Sequence, residues 1–130
     1  MTANIPIIVV TATKSAWREA KSSGFYRRSS VDQSLEEVGF IHATAPDQTL
    51  PMLNRRFQLR DDLVLLFVRV HDVTAPVKFE PAASGRAGLF PHIYGPLNSG
   101  AVFATAVPNK GTGGQFMPPA QLTDAIRSTE

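Results

Sequence analysis

Residues 5–12 form a nearly continuous apolar run rich in isoleucine and valine, which predicts a buried strand. Thr13 or Ser15 then offers a helix N-cap, with Glu19 in reach as the reciprocal partner of Ser15. Trp17 falls in the first turn of this short helix, and Gly24 ends it. Phe25 to Arg28 read as a short extended or turn segment, and Ser34 to Glu37 as one helical turn leading into Gly39. A second, shorter strand follows over residues 39–43. Thr44, Pro46 and Asp47 supply the hydroxyl, early proline and acidic residue of a helix start. Leu50, Leu53 and Phe57 recur at helical spacing, but Pro51 conflicts with an unbroken helix from Pro46. Either the helix begins later, capped by Thr49, or it kinks at Pro51.

After a turn at Asp61 and Asp62, residues 63–70 carry the strongest strand pattern, apolar on both faces. That pattern predicts a central, fully buried strand. Val77 to Pro81 alternate and read as another strand, residues 82–88 as a loop of small residues, and residues 101–107 as the final strand. Residues 89–97 contain two prolines and a glycine, so they read as an ordered irregular segment more than a strand. From Pro108 the glycine and proline content is that of a tail, with a short helix over residues 120–127. Strands with two short helices and no regular βα alternation predict an α+β fold.

The 130 residues, 43% of them hydrophobic, suffice for a single domain, with a core over about residues 5–107 and residues 108–130 as the tail. No run of about 18 apolar residues is present to span a membrane. Residues 1–4 lack the positive stretch that begins a signal peptide, so a cytoplasmic location is expected. The absence of cysteine excludes disulfides, thiolate metal sites and cysteine nucleophiles. A net charge of +2 without a dense basic tract gives no reason to expect nucleic acid as a partner. Arg55, Arg56 and Arg60 offer one basic rim for phosphate, although charges on a helix are commonly a solvated face.

Three histidines can change role near neutral pH. His71, beside Asp72 after the long strand, reads as a turn residue. His42 stands where a strand meets a helix start, and Thr44 two residues on shares its face of an extended backbone. A core or capping histidine is the equally weighted alternative. His92 and Tyr94 lie in a segment stiffened by Pro91 and Pro96, where Gly95 permits a sharp turn or a close approach to a ligand. That segment suits a planar or sugar-bearing ligand, and equally a rigid packing loop. Glu80 is a lone carboxylate in an apolar strand, either partnered in the interior or solvated at a sheet edge. Phosphate-binding loops, dinucleotide glycine motifs, zinc-protease motifs and nucleophile elbows are all missing, and no metal site is expected.

These residues also carry a resemblance. Gly39-Phe40-Ile41-His42, then Thr44 and Gln48, Asp62 to Leu66, Glu80, and Leu89-Phe90-Pro91-His92-Ile93-Tyr94-Gly95-Pro96-Leu97 resemble the bacterial domain of unknown function 952 family. Trp17 and Gly24 fit it too, and the match covers roughly residues 5–107. The chain departs from the family pattern at Ala45, where a second hydroxyl is common, and at Val38, where an acidic residue is common.

The resemblance implies an ADP-ribosyltransferase-like fold, a split α+β arrangement of two antiparallel sheets with a central ligand cleft. His42-Ala43-Thr44 is similar to the strand element that binds the dinucleotide ribose there. By the same resemblance His42, Glu80 and His92 are the expected catalytic residues, and Thr44, Gln48, Tyr94 and Gly95 the expected ligand-binding residues. The ligand implied is a nicotinamide dinucleotide (NAD, as substrate) or an ADP-ribose-like molecule. ADP-ribosyl transfer or NAD glycohydrolysis is the implied chemistry; a non-catalytic binding or regulatory module is the alternative. A two-histidine phosphoesterase ranks last, because the second His-x-Ser/Thr element would have Tyr94 in place of its small hydroxyl residue. His42, Thr44, His92 and Tyr94 are therefore expected to line one common cleft.

Overall fold

The computed structural model describes residues 6–82 and 84–128. Ile5, the expected first residue of the opening strand, lies outside the described residues, as do residues 1–4. Strand β1 (Ile7–Thr13) runs into helix α1 (Lys14–Ser23), whose first turn is capped by the Thr13 hydroxyl accepting from the Ala16 amide. Gly24 ends that helix, and β2 (Phe25–Tyr26) follows. The one-turn helix α2 (Leu35–Val38) carries a reciprocal capping box between Ser34 and Glu37, and strand β3 (Ile41–His42) follows it. Helix α3 (Pro46–Arg56) starts at the early proline and continues through Pro51, so Thr49 is not its cap.

The second half supplies β4 (Leu63–Arg69), β5 (Val77–Pro81), β6 (Leu89–Ile93), β7 (Leu97–Asn98) and β8 (Val102–Ala106). Two 3-10 turns (Val70–Asp72 and Ser99–Ala101) interrupt them, and His71 sits exposed in the first, beside Asp72. The chain closes with β9 (Asn109–Lys110), β10 (Phe116–Met117) and α4 (Ala120–Ser128). The result is a mixed α+β fold with antiparallel sheets. Four α-helices stand among the described residues, where the sequence pattern gave two to the core and a short one to the tail.

Two three-stranded sheets organise the molecule, one in the order β1-β4-β8 and the other β3-β6-β5, and every pairing is antiparallel. The apolar run on both faces of β4 has a direct cause. Val64, Leu66 and Val68 pack with Ile8, Val10, Ile41 and Ile93 on one side of the sheet. Leu63, Leu65 and Phe67 pack with Leu53 and Phe57 of the α3 region on the other. β4 is thus central and buried, as its pattern predicted.

Two sequence expectations are corrected. Residues 89–93 are the middle strand of the second sheet despite Pro91. In an antiparallel ladder a residue's N–H and C=O point to the same neighbour. The Pro91 carbonyl accepts the Ala43 amide at 3.1 Å, but Pro91 has no N–H to return, and β3 stops at His42. The proline therefore shortens the neighbouring strand without breaking its own. The second correction concerns residues 108–128, read as a tail outside the core, which contribute to it. Phe116, Leu122 and Ala125 are buried in the cluster around Leu53 and Leu65, and Asn54 of α3 bonds both backbone groups of Phe116. The glycines and prolines occupy the turns between these anchors.

The two sheets meet where the backbones of Val9 and Thr44 exchange hydrogen bonds of 2.8 and 2.9 Å. Among the described residues no helix is long and apolar enough to cross a membrane.

Candidate functional site

Strand periodicity decides which side chains face the cavity beside the second sheet. Ile41 and Ile93 face each other and turn into the core, so their neighbours His42 and His92, also directly paired, turn the other way. Glu80 follows from the adjacent strand β5, and Phe40 and Tyr94 continue the same alternation beyond the ends of β3 and β6. The cavity they line has a volume of about 780 Å³, within the range of small-molecule sites. His42, Thr44, Glu80, His92 and Tyr94 all line it.

Each imidazole is held through Nδ1. His42 Nδ1 lies 3.1 Å from both the Ser29 carbonyl and the Ser29 hydroxyl. A carbonyl only accepts, so Nδ1 carries the proton and Nε2 is the unprotonated nitrogen of the neutral ring. Burial, opposed by the Ser29 bond and aided by His92 and Arg56, lowers the His42 pKa. His92 Nδ1 lies 2.8 Å from Glu80 Oε1, and the Tyr94 hydroxyl donates to the same oxygen at 2.5 Å. The Tyr94 bond, followed by that of His92, lowers the Glu80 pKa and keeps the carboxylate ionised, which makes His92 Nδ1 the donor. Tyr94 in turn is pushed up by its bond to Glu80. Glu80 is therefore a partnered carboxylate at a sheet edge, combining the two sequence alternatives.

The Phe40 ring fixes the pair from one side, stacking on His92 at 4.1 Å between centroids and tilting against His42 at 4.8 Å. The imidazoles stand edge to face, 5.8 Å apart. The two Nδ1 atoms are occupied by protein acceptors, so both rings offer Nε2 for ligand recognition.

Three expected ligand residues have contacts of their own within the protein. The Thr44 side chain is buried in the cavity wall, but its hydroxyl is engaged with Thr49 at 2.8 Å and near the Val9 carbonyl. Gln48 does not line the cavity: Oε1 accepts the Ala45 amide at the start of α3, and Nε2 donates to the Leu89 carbonyl. Having no side-chain cap at Ala45, α3 uses Gln48 to satisfy that amide. Gly95 also lies off the cavity; its φ is +154°, and a Cβ there would come within 2.9 Å of the Ala75 Cβ. It serves close packing against Ala75.

Sequence reasoning missed Ser29, Phe40 and Arg86. Phe40 precedes His42 by two and was detectable by strand alternation. Ser29 and Arg86 come from loops, where no periodicity points to a partner. Arg60 leaves the basic group and pairs with Asp62 and Asp32, while Arg86 joins Arg55 and Arg56 at the cavity. Among the described residues no group of three or more His, Asp or Glu side chains could hold a metal ion.

Residues 11–105 match the family model described as protein of unknown function (DUF952). The chain is similar to the X-ray crystal structure of protein CC0527 from Caulobacter crescentus, with 29% identity and a TM-score of 0.75 over 90% of this chain and 98% of that one. It is similar to the solution NMR structure of CC0527 with 28% identity and a TM-score of 0.65, over 84% and 90% of the respective chains. A search of curated proteins finds no match.

Proposed function

The chain belongs to the DUF952 family, and from that membership together with the cleft we propose that it binds a nicotinamide dinucleotide or ADP-ribose-like ligand in the cleft lined by His42 and His92. The observation that carries this reading is the pair of directly opposed imidazoles, each with Nδ1 held by the protein and Nε2 available to sugar hydroxyls. The split arrangement of two antiparallel sheets with a cleft between them supports the ADP-ribosyltransferase-like reading of the fold. Fold alone does not assign an activity.

The chemistry proposed is cleavage of the nicotinamide–ribose bond, by ADP-ribosyl transfer or NAD glycohydrolysis. As that bond breaks, its electron pair leaves with nicotinamide and positive charge builds on the sugar. Ionised Glu80 is the cleft's carboxylate for stabilising it. Its two protein bonds both fall on Oε1, which leaves Oε2 facing no protein donor among the described residues. Hydrogen bonds from the sugar hydroxyls to the imidazoles hold the ring in place for attack by an acceptor oxygen.

Thermal melting with NAD and with ADP-ribose tests binding, since a ligand at one hundred times its Kd stabilises by about 2.7 kcal/mol. His42→Ala is expected to lose about 1–3 kcal/mol of affinity. Glu80→Gln is expected to keep the melting shift and abolish nicotinamide release. Equal shifts in wild type and His42→Ala would remove the His42 role and the reading with it.

A further inference from the structure

Arg55 and Arg56 stand in the last turn of α3, where basic side chains are favoured by the helix dipole and need no ligand to explain them. Arg86 has no such reason. It comes from the separate β5–β6 connection and adds a third positive charge at the same cavity. The contrast with Arg60 is instructive, because that residue is satisfied by Asp62 and Asp32. Among the described residues neither Arg55, Arg56 nor Arg86 has a carboxylate within ion-pair distance. Arg55 has its proton affinity reduced by desolvation and then by Arg86 and Arg56, so the three charges act on one another. Arg56 also acts electrostatically on His42, which ties the basic group to the imidazole end of the cavity.

We infer that Arg55, Arg56 and Arg86 form an anion site that takes the diphosphate of a nucleotide whose sugar lies at the histidine pair. This rests on the ligand reading above. The only carboxylate lining the cavity among the described residues is Glu80, held by His92 and Tyr94. Three guanidiniums against one carboxylate leave two surplus positive charges, the number that a diphosphate diester neutralises. Guanidinium forks suit phosphate oxygens, and they come from two elements, so α3 addresses one phosphate and the connecting loop the other. The ligand class that follows is a diphosphate-bearing nucleotide, with neutral nucleosides bound weakly.

Calorimetric titration of the full chain with inorganic pyrophosphate, ADP-ribose and adenosine provides the test. Wild type is expected to bind pyrophosphate, with affinity falling as sodium chloride is added. Arg86→Ala and Arg55→Ala should each weaken pyrophosphate and ADP-ribose by about tenfold or more, the scale of a lost charged hydrogen bond. Arg127→Ala on α4 removes the same charge away from the cavity and should change neither. Circular dichroism melts of each variant confirm that the comparison is between folded chains. Equal binding by Arg86→Ala and Arg127→Ala, or adenosine binding as tightly as ADP-ribose, overturns the anion site. If ADP-ribose binding depends on His42 but not on the arginines, the anion site falls and the ligand reading stands. Arginine-dependent pyrophosphate binding with no gain for ADP-ribose has the opposite meaning: the anion site stands and the nucleotide reading falls. A wild type that binds none of the three overturns both.

Discussion

Glu80 and His42 resist protonation for different reasons, and the difference separates their effects on stability. His42 has its pKa lowered below the ordinary 6.5, chiefly by burial. The unfolded chain therefore takes up the proton first, and the stability held in neutral His42 is complete above pH 6.5 and drains away as pH falls below it. Glu80 has its pKa lowered below 4.5 by Tyr94 and His92. Its contribution is complete above that value and is lost only on further acidification. Melting temperature measured against pH should thus fall in two stages. His42→Asn should flatten the stage just below pH 6.5, and Glu80→Gln the stage below pH 4.5. Exchange of the two effects between variants would contradict the proton positions assigned to the cleft. Both residues were visible in the sequence as chemistry-bearing types, and strand alternation gave the sharing of a face by His42 and Thr44. The pairings at Nδ1 of His42 and His92 were not visible, because Ser29 and Glu80 lie 13 and 12 residues away and meet the histidines only through folding.

At the scale of elements, local rules succeeded wherever the deciding bond was local. Thr13, one of the two caps offered for α1, and Ser34, at the head of the expected helical turn, cap their helices through amides three residues on. Leu63–Arg69 was legible because both of its faces are buried, which needs an unbroken apolar run. β6 was misread because its fitness as a strand depends on what lies beside Pro91, and that neighbour is distant in sequence. The structural role of Gln48 was hidden for a related reason, since its amide joins the start of α3 to Leu89, 41 residues away. The structural role has its own signature. Gln48→Ala should cost about 1 kcal/mol, the scale of a lost helix cap, while leaving ligand affinity unchanged. Chemical denaturation alongside a binding titration checks both, and a loss of affinity without loss of stability would return Gln48 to the ligand.

For the molecule as a whole, the second core decides what the C-terminal residues do. Composition placed residues beyond 107 outside the core, but their few apolar side chains are placed where the β1-β4-β8 sheet needs cover. Leu122, with no exposed surface, should cost about 2–5 kcal/mol when cut to alanine. A chain ending at Lys110 loses Phe116 and Ala125 as well and is expected to melt far below wild type, or not to fold. Wild-type melting of that truncation would show the second core to be complete without α4. The first core reaches the cleft through another route, the reciprocal bond between Val9 and Thr44 where the two sheets touch. That junction works as the spine of a book. The Thr44 hydroxyl, buried and bonded to Thr49 of α3, binds the covers and the spine into one corner. Rotation about it changes the spacing at the spine very little but opens the far margin in proportion to distance. His42 is two residues from this axis, whereas Arg86 belongs to the connection between β5 and β6. On the proposed reading, a sugar held at His42 sits beside the pivot, where any such rotation would displace it least.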